Sequence, residues 1–172
     1  MYNQTVLKKG KKEENIFTKS VKFEKESYMI RIGIYGYGNL GRGVENAIKQ
    51  NDDMELVAVF SRRDPATVKV NTPGVAVCRA EDAENMTDKI DVMIICGGSA
   101  TDLPEMTPAL AEHFNVVDSY DNHSSIPVHF ANVDAKAKEG STTALISCGW
   151  DPGMFSLNRL YAGAILPDGK DY

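Results

Sequence analysis

The chain has 172 residues, of which 42% are hydrophobic and 25% charged, and its net charge is -5. That size and composition suit one medium domain with a buried core, and nothing approaches the roughly 18 consecutive apolar residues a membrane span needs. The start lacks the basic-then-apolar layout of a secretory signal, and three scattered cysteines, Cys78, Cys96 and Cys148, odd in number and without CxxC spacing, fit a reduced, cytoplasmic setting.

The charge is uneven. Residues 1–28 carry seven lysines against four glutamates, so this segment is +3 and the remainder -8. A basic tail can touch nucleic acid or a membrane surface, but here glutamates are interleaved and apolar periodicity is missing. The expectation is a solvated, disordered extension over 1–28, with no nucleic-acid or membrane partner. Met29 stands directly before the first strand, where an initiator would serve equally well, and 29–172 reads as the folded domain.

The first strand, Ile30-Arg-Ile-Gly-Ile-Tyr35, runs into Gly36-Tyr37-Gly38-Asn39-Leu40-Gly41. This is the GxGxxG spacing of a dinucleotide turn: a glycine for the tight turn, one for close approach of a pyrophosphate, one for helix–strand packing. Leu40, Val44, Ala47 and Ile48 then recur at helical spacing, so a helix N-terminus would face the phosphates. A lone GxGxxG is weak evidence, and a glycine turn binding nothing is the plain alternative. Strand before and helix after favour the dinucleotide.

Glu55–Phe60 reads as a second strand, apolar enough for burial on both faces of a parallel sheet. It ends in Ser61-Arg62-Arg63 rather than in the acidic residue that holds a ribose 2′-hydroxyl in NAD-specific folds. Guanidinium groups offer paired donors to a 2′-phosphate. NADP is therefore expected over NAD, against the simpler possibility of two solvated arginines.

Val75–Cys78 reads as a short strand, and Glu81–Lys89 as a polar connection or helix. Asp91–Cys96 is a buried strand ending in Cys96-Gly97-Gly98-Ser99, small residues that leave room for a ligand at a strand's C-terminal end. Leu103–His113 follows as a helix and Asn115–Asp118 as a further strand, which makes a βαβ alternation and an α/β, Rossmann-type doubly wound parallel sheet. Residues 144–147 form another strand, Met154–Leu166 a helix, and Pro167–Tyr172 a turn.

Two strand ends carry polar clusters: Ser119-Tyr120-Asp121-Asn122-His123 and Gly149-Trp150-Asp151-Pro152-Gly153. Right-handed crossovers bring such ends to one rim, so Asp121 and Asp151 can meet near a nicotinamide. Each could instead merely cap the next helix or turn, and Trp150 could be core. His123 and His129 lack the further ligands of a metal site, and no metal is expected.

The stretches Gly36–Arg42, Phe60–Arg63, Gly98–Asp102, Asp118–His123 and Gly149–Ser156 together resemble the meso-diaminopimelate dehydrogenase family from Met29 onward. The resemblance implies reversible NADP-linked oxidative deamination of meso-2,6-diaminopimelate at its D-centre, giving L-2-amino-6-oxopimelate and ammonia, in a cytoplasmic homodimer on the lysine and peptidoglycan route. It implies substrate contacts and catalysis at Asp121 and Asp151, with Trp150 beside the substrate. It places cofactor contacts at Gly36, Tyr37, Gly38, Asn39, Leu40 and Gly41, at Ser61, Arg62 and Arg63, at Cys96, Gly97, Gly98 and Ser99, at His123, and at Pro152, Gly153 and Met154. Members of that family continue for about another domain's length. The substrate and dimerisation domain is thus expected to be largely missing, and the chain to be inactive by itself. The competing expectations are a non-catalytic NADP-binding module or sensor, and another NADP reductase of amino-acid metabolism of the dihydrodipicolinate or homoserine type.

Overall fold

The structure, a computed structural model, describes residues 28–166. The expected extension, apart from Tyr28, and the expected turn at 167–172 lie outside the described residues.

Six strands form one parallel sheet: β1 (Ile30–Tyr35), β2 (Met54–Ser61), β3 (Ala76–Arg79), β4 (Val92–Ile95), β5 (Val116–Asp118) and β6 (Ala144–Leu145). Their spatial order is β3-β2-β1-β4-β5-β6. The chain starts in the middle, builds outward to β3, then returns to the other side of β1, so a crevice opens where β1 and β4 diverge at their C-terminal ends. Four helices connect the strands or follow them: α1 (Asn39–Ile48), α2 (Leu103–Ala111), α3 (Ile126–Gly140) and α4 (Met154–Ile165). The stretch read as a polar connection or helix over Glu81–Lys89 forms a 3-10 helix over Ala80–Met86.

The sheet divides the core in two. Phe60, Met93, Ile95 and Val116 pack with Leu103 and Leu110 of α2 and Val133 of α3, while Ile32, Ile34 and Val59 pack with Ile48 of α1 and Val68. Consecutive residues Val59 and Phe60 are both fully buried on opposite faces, as the apolar density of β2 predicts. Each such side chain contributes roughly 2 kcal/mol of burial. At the opposite end from the crevice, Arg31 clasps Asp91 through Nη2 to Oδ1 at 2.7 Å and Nε to Oδ2 at 3.1 Å, tying β1 to the start of β4.

The helices bury faces that the apolar spacing of the sequence does not mark. The inward stripe of α1 is Gly41, Glu45 and Ile48, whereas Leu40 is 46% exposed and Ala47 faces out. Leu40, Val44 and Ala47 instead line an apolar groove of about 260 Å³ that runs beside β4 and β5 to Cys148. Helix α3 was not legible: its buried residues are His129, Val133 and Ala137, while the apolar Val128 and Phe130 point to solvent. Trp150 is not core, being 65% exposed and tilted against Phe155. Helix α4 forms where its spacing predicts, but Leu160, Tyr161 and Ile165 are exposed.

Candidate active site

A groove of about 280 Å³ lies at the C-terminal ends of β1, β2 and β4, where the strand order reverses. Gly36, Tyr37 and Gly38 form one wall, Ser61, Arg62 and Arg63 a second, and Cys96, Gly97, Asp102 and Met106 a third. The glycine turn is built for the approach of a ligand. Gly36 has φ +96°, a conformation that disfavours any side chain, and a β-carbon there would stand 2.8 Å from the carbonyl oxygen of Cys96. A β-carbon on Gly41 would strike the Gly36 carbonyl, so α1 starts in direct contact with the turn. Beside Gly38 the space is open within 4 Å. A pyrophosphate can reach the backbone there, at the N-terminus of α1.

The two arginines do different things. Arg63 donates from Nη2 to the Tyr37 carbonyl oxygen at 2.6 Å and from its backbone N–H to Ser61 Oγ at 3.1 Å, which fixes it against the turn. Arg62 forms an ion pair with Asp102, Nη1 to Oδ1 at 3.1 Å and Nη2 to Oδ2 at 3.3 Å. Asp102 also accepts the Gly98 backbone N–H at 2.9 Å; that bond, and then Arg62, hold its carboxyl below the ordinary range. Burial pushes the Cys96 thiol up to about 12, so at neutral pH this residue is an uncharged wall of the groove.

Sequence reasoning missed the buried support beneath the turn. Glu45 of α1 accepts the hydroxyl of Tyr37 in a short hydrogen bond, Thr72 Oγ1 at 2.6 Å and the Asn71 backbone N–H at 2.9 Å. Burial alone would raise this carboxyl, but the bonds from Thr72 and Tyr37 outweigh it and keep Glu45 below its usual value. The Tyr37 hydroxyl is pushed up to about 12 by burial and by that same bond. Glu45 thereby joins the glycine turn to the loop after β2. A charged residue among apolar neighbours gave no sign that it points inward.

The predicted substrate residues Asp121 and Asp151 lie in the loops after the neighbouring strands β5 and β6. The Asp121 backbone N–H donates to Ser99 Oγ at 2.8 Å, linking the loop after β5 to the loop after β4. Asp151, after β6, accepts Ser156 Oγ at 3.0 Å and Arg159 Nη2 at 2.8 Å on one carboxylate oxygen, with His123 Nε2 3.5 Å away. Arg159 and Ser156 were not singled out in the sequence; their spacing of eight and five residues from Asp151 places them on α4, and the helix supplies the signal. His123, expected at the cofactor, stands beside Asp151. Of the other expected cofactor residues, Gly98 and Ser99 lie in the loop under Asp102 and Asp121, and Pro152, Gly153 and Met154 lead into α4. Asn39 begins α1 beside Leu40, whose side chain faces the apolar groove away from the crevice.

Residues 30–124 match the family model described as dihydrodipicolinate reductase, N-terminus. Over 143 residues the chain is 58% identical to the meso-diaminopimelate D-dehydrogenase of Acetivibrio thermocellus, a match covering 83% of this chain and 43% of that relative. Among solved structures, a mutant meso-DAP dehydrogenase from Clostridium tetani, crystallised with DAP, superposes with a TM-score of 0.70 at 57% identity, covering 82% of this chain and 43% of that one. An engineered D-amino acid dehydrogenase bound to NADP+ superposes with a TM-score of 0.70 at 46% identity, covering 80% of this chain and 41% of the other. The chain thus spans less than half the length of the relatives it matches. It belongs to the family described as dihydrodipicolinate reductase, N-terminus, and over 143 residues is similar in sequence to the meso-diaminopimelate dehydrogenases.

Proposed function

We propose that residues 29–172 are the NADP-binding domain of a meso-diaminopimelate dehydrogenase, which deaminates meso-2,6-diaminopimelate oxidatively and reversibly at its D-centre. What supports this reading is the strand order: the glycine turn, Arg62 and Arg63, and the loops carrying Asp121 and Asp151 all follow the C-terminal ends of strands in one parallel sheet. A mere nucleotide holder has no use for two carboxylates beyond the nicotinamide end.

The residues fit the cofactor. Open space at Gly38 would admit the pyrophosphate, and Arg62 and Arg63 would hold the 2′-phosphate. When bound, NADP supplies the hydride acceptor. The chain's own residues do the rest. Asp121 and Asp151 would attract the ammonium group of the D-centre and one of the two carboxylates would take up the single proton it sheds, since only the free amine can release hydride from the adjacent carbon; water then adds to the iminium left behind and ammonia departs. Ser99 fixes the backbone at Asp121, and Ser156 with Arg159 fixes the Asp151 carboxylate. Trp150, largely exposed, offers an apolar face to the substrate's methylene chain.

The whole enzyme is proposed to be a cytoplasmic homodimer, with residues 1–28 as a solvated extension. No helix among the described residues is long and apolar enough to cross a membrane. The deciding experiment uses a hybrid in which this chain is completed by the remaining C-terminal portion of the Acetivibrio thermocellus relative. NADP-dependent release of ammonia from meso-diaminopimelate is expected; a hybrid that folds, binds NADPH and leaves the substrate untouched would overturn the reading.

A further inference from the structure

Asp118 ends β5 with only 1% of its surface exposed, and none of the chemistry above uses it. We propose that Asp118 is the positioning residue of the active site, a single buried carboxylate that sets the loops carrying Asp121 and Asp151 relative to each other; the inference rests on the dehydrogenase reading. Its Oδ1 accepts two backbone N–H groups, from Tyr120 at 3.1 Å and from Ser147 at 2.8 Å. Its own carbonyl oxygen accepts the Cys148 N–H at 2.9 Å. Tyr120 immediately precedes Asp121, and Ser147 and Cys148 open the loop that reaches Asp151.

The other carboxylate oxygen is anchored to the helices. Oδ2 accepts Thr107 Oγ1 from α2 at 2.8 Å and lies 2.7 Å from His129 Nε2 of α3. Tyr120 stacks on the His129 ring with centroids 4.1 Å apart. The four side chains thus form one block between the helical layer and the rim.

Two features show that this block serves geometry rather than stability. Ser147 holds φ at +58°, a left-handed conformation unfavourable for serine, and in it the Ser147 N–H meets Asp118. A buried polar cluster is also a poor source of net stability compared with apolar packing of equal volume. What it provides is a fixed direction for each bonded amide. The reacting atoms of a dehydrogenase must be held within a fraction of an ångström, and two loops from neighbouring strands can drift independently unless one group binds both.

The test compares Asp118→Leu, Asp118→Asn and Thr107→Val in the hybrid enzyme. Leucine removes both acceptor atoms, whereas asparagine retains the Oδ1 acceptor. Asp118→Leu is expected to lower kcat for meso-diaminopimelate about 100-fold while the KM for NADPH stays within about 3-fold, and Asp118→Asn to recover most of the loss. If Asp118→Leu does not fold, Thr107→Val should lower kcat by about 5-fold with the NADPH KM again unmoved. An unchanged kcat in the folded variants, an equal effect on NADPH, or no recovery with asparagine would overturn the proposal. Amide hydrogen exchange on the 172-residue chain separates this from failure of the dehydrogenase reading. Faster exchange at Tyr120 and Ser147 in Asp118→Leu or Thr107→Val, with β1 and β2 unaffected, supports positioning even if the hybrid proves inactive on diaminopimelate. Unaltered exchange at both amides overturns it.

Discussion

Arg62, which follows the strand β2 beside the glycine turn, forms a two-point ion pair with Asp102, which lies just before α2, across the mouth of the groove. A 2′-phosphate must compete with that carboxylate for the guanidinium, whereas Arg63 is already held in place by the Tyr37 carbonyl. NADPH is expected to bind more tightly than NADH, and Arg62→Ala with Arg63→Ala should remove about 3 kcal/mol of that preference. Asp102→Asn, by releasing Arg62, should strengthen NADPH binding and leave NADH nearly unchanged. Titration calorimetry of the three proteins with both nucleotides checks this. Equal affinities in the unaltered chain would exclude the 2′-phosphate assignment.

Gly41 and Gly38 of the turn should fail in different ways. At Gly41 a methyl group meets the Gly36 carbonyl, so Gly41→Ala is expected to destabilise the fold by about 2 kcal/mol through overpacking. At Gly38 the methyl enters open space. Gly38→Ala should therefore melt like the parent yet bind NADPH at least about 10-fold more weakly, because the added carbon occupies the phosphate's approach. Thermal melting and nucleotide titration of the two variants separate packing from ligand contact.

The alternation of strand and helix was legible because β1, β2 and β4 are buried on both faces and read as continuous apolar runs. Helix α3 was hidden by the opposite circumstance. Its inward stripe contains His129, and two of its apolar residues, Val128 and Phe130, face outward, so the hydrophobic period does not mark the buried side. The candidate site shows the same division. Gly36, Arg62, Arg63, Asp121 and Asp151 announce themselves by their position after strands. Glu45, Asp118 and Asp102 act through partners 20 to 40 residues away in sequence, and no local pattern reports such bonds.

Glu45 should matter for both fold and cofactor. Glu45→Ala strands the buried Tyr37 hydroxyl and frees the loop at Asn71 and Thr72. A loss of about 2–3 kcal/mol in urea unfolding is expected. NADPH affinity should fall in the same variant, since Tyr37 belongs to the turn. Retention of both stability and affinity would show that the buried carboxylate is dispensable.

The Arg31 side-chain bond holds Asp91 well below the usual carboxylate range, at about 2 rather than 3.8. Between those values the unfolded chain binds more protons than the folded one, so stability rises with pH across that window. The contribution is complete above about pH 4 and fades as pH falls towards 2. Asp91→Asn should flatten the acid limb of a stability-versus-pH curve there and leave its shape above pH 5 unaltered. An acid limb identical to that of the parent would assign the effect to other carboxylates.

Asp151 sits where β6 hands over to α4, and its carboxylate is already shared by Ser156, Arg159 and His123. The arginine compensates the negative charge in the free protein, so an arriving ammonium group has to take over part of that role. Asp151→Ala in the hybrid enzyme should therefore reduce kcat/KM for meso-diaminopimelate by at least about 100-fold while NADPH affinity changes less than about 3-fold. Arg159→Met tests the competition: with its rival removed, the substrate ammonium should bind Asp151 more readily, and the KM for diaminopimelate should fall. The 172-residue chain alone should show negligible turnover, because a substrate held at one centre only is not kept in the reactive pose. Full activity of Asp151→Ala would remove this carboxylate from the site, and turnover by the chain alone at an ordinary enzyme rate would show that the groups described here suffice to grip the substrate.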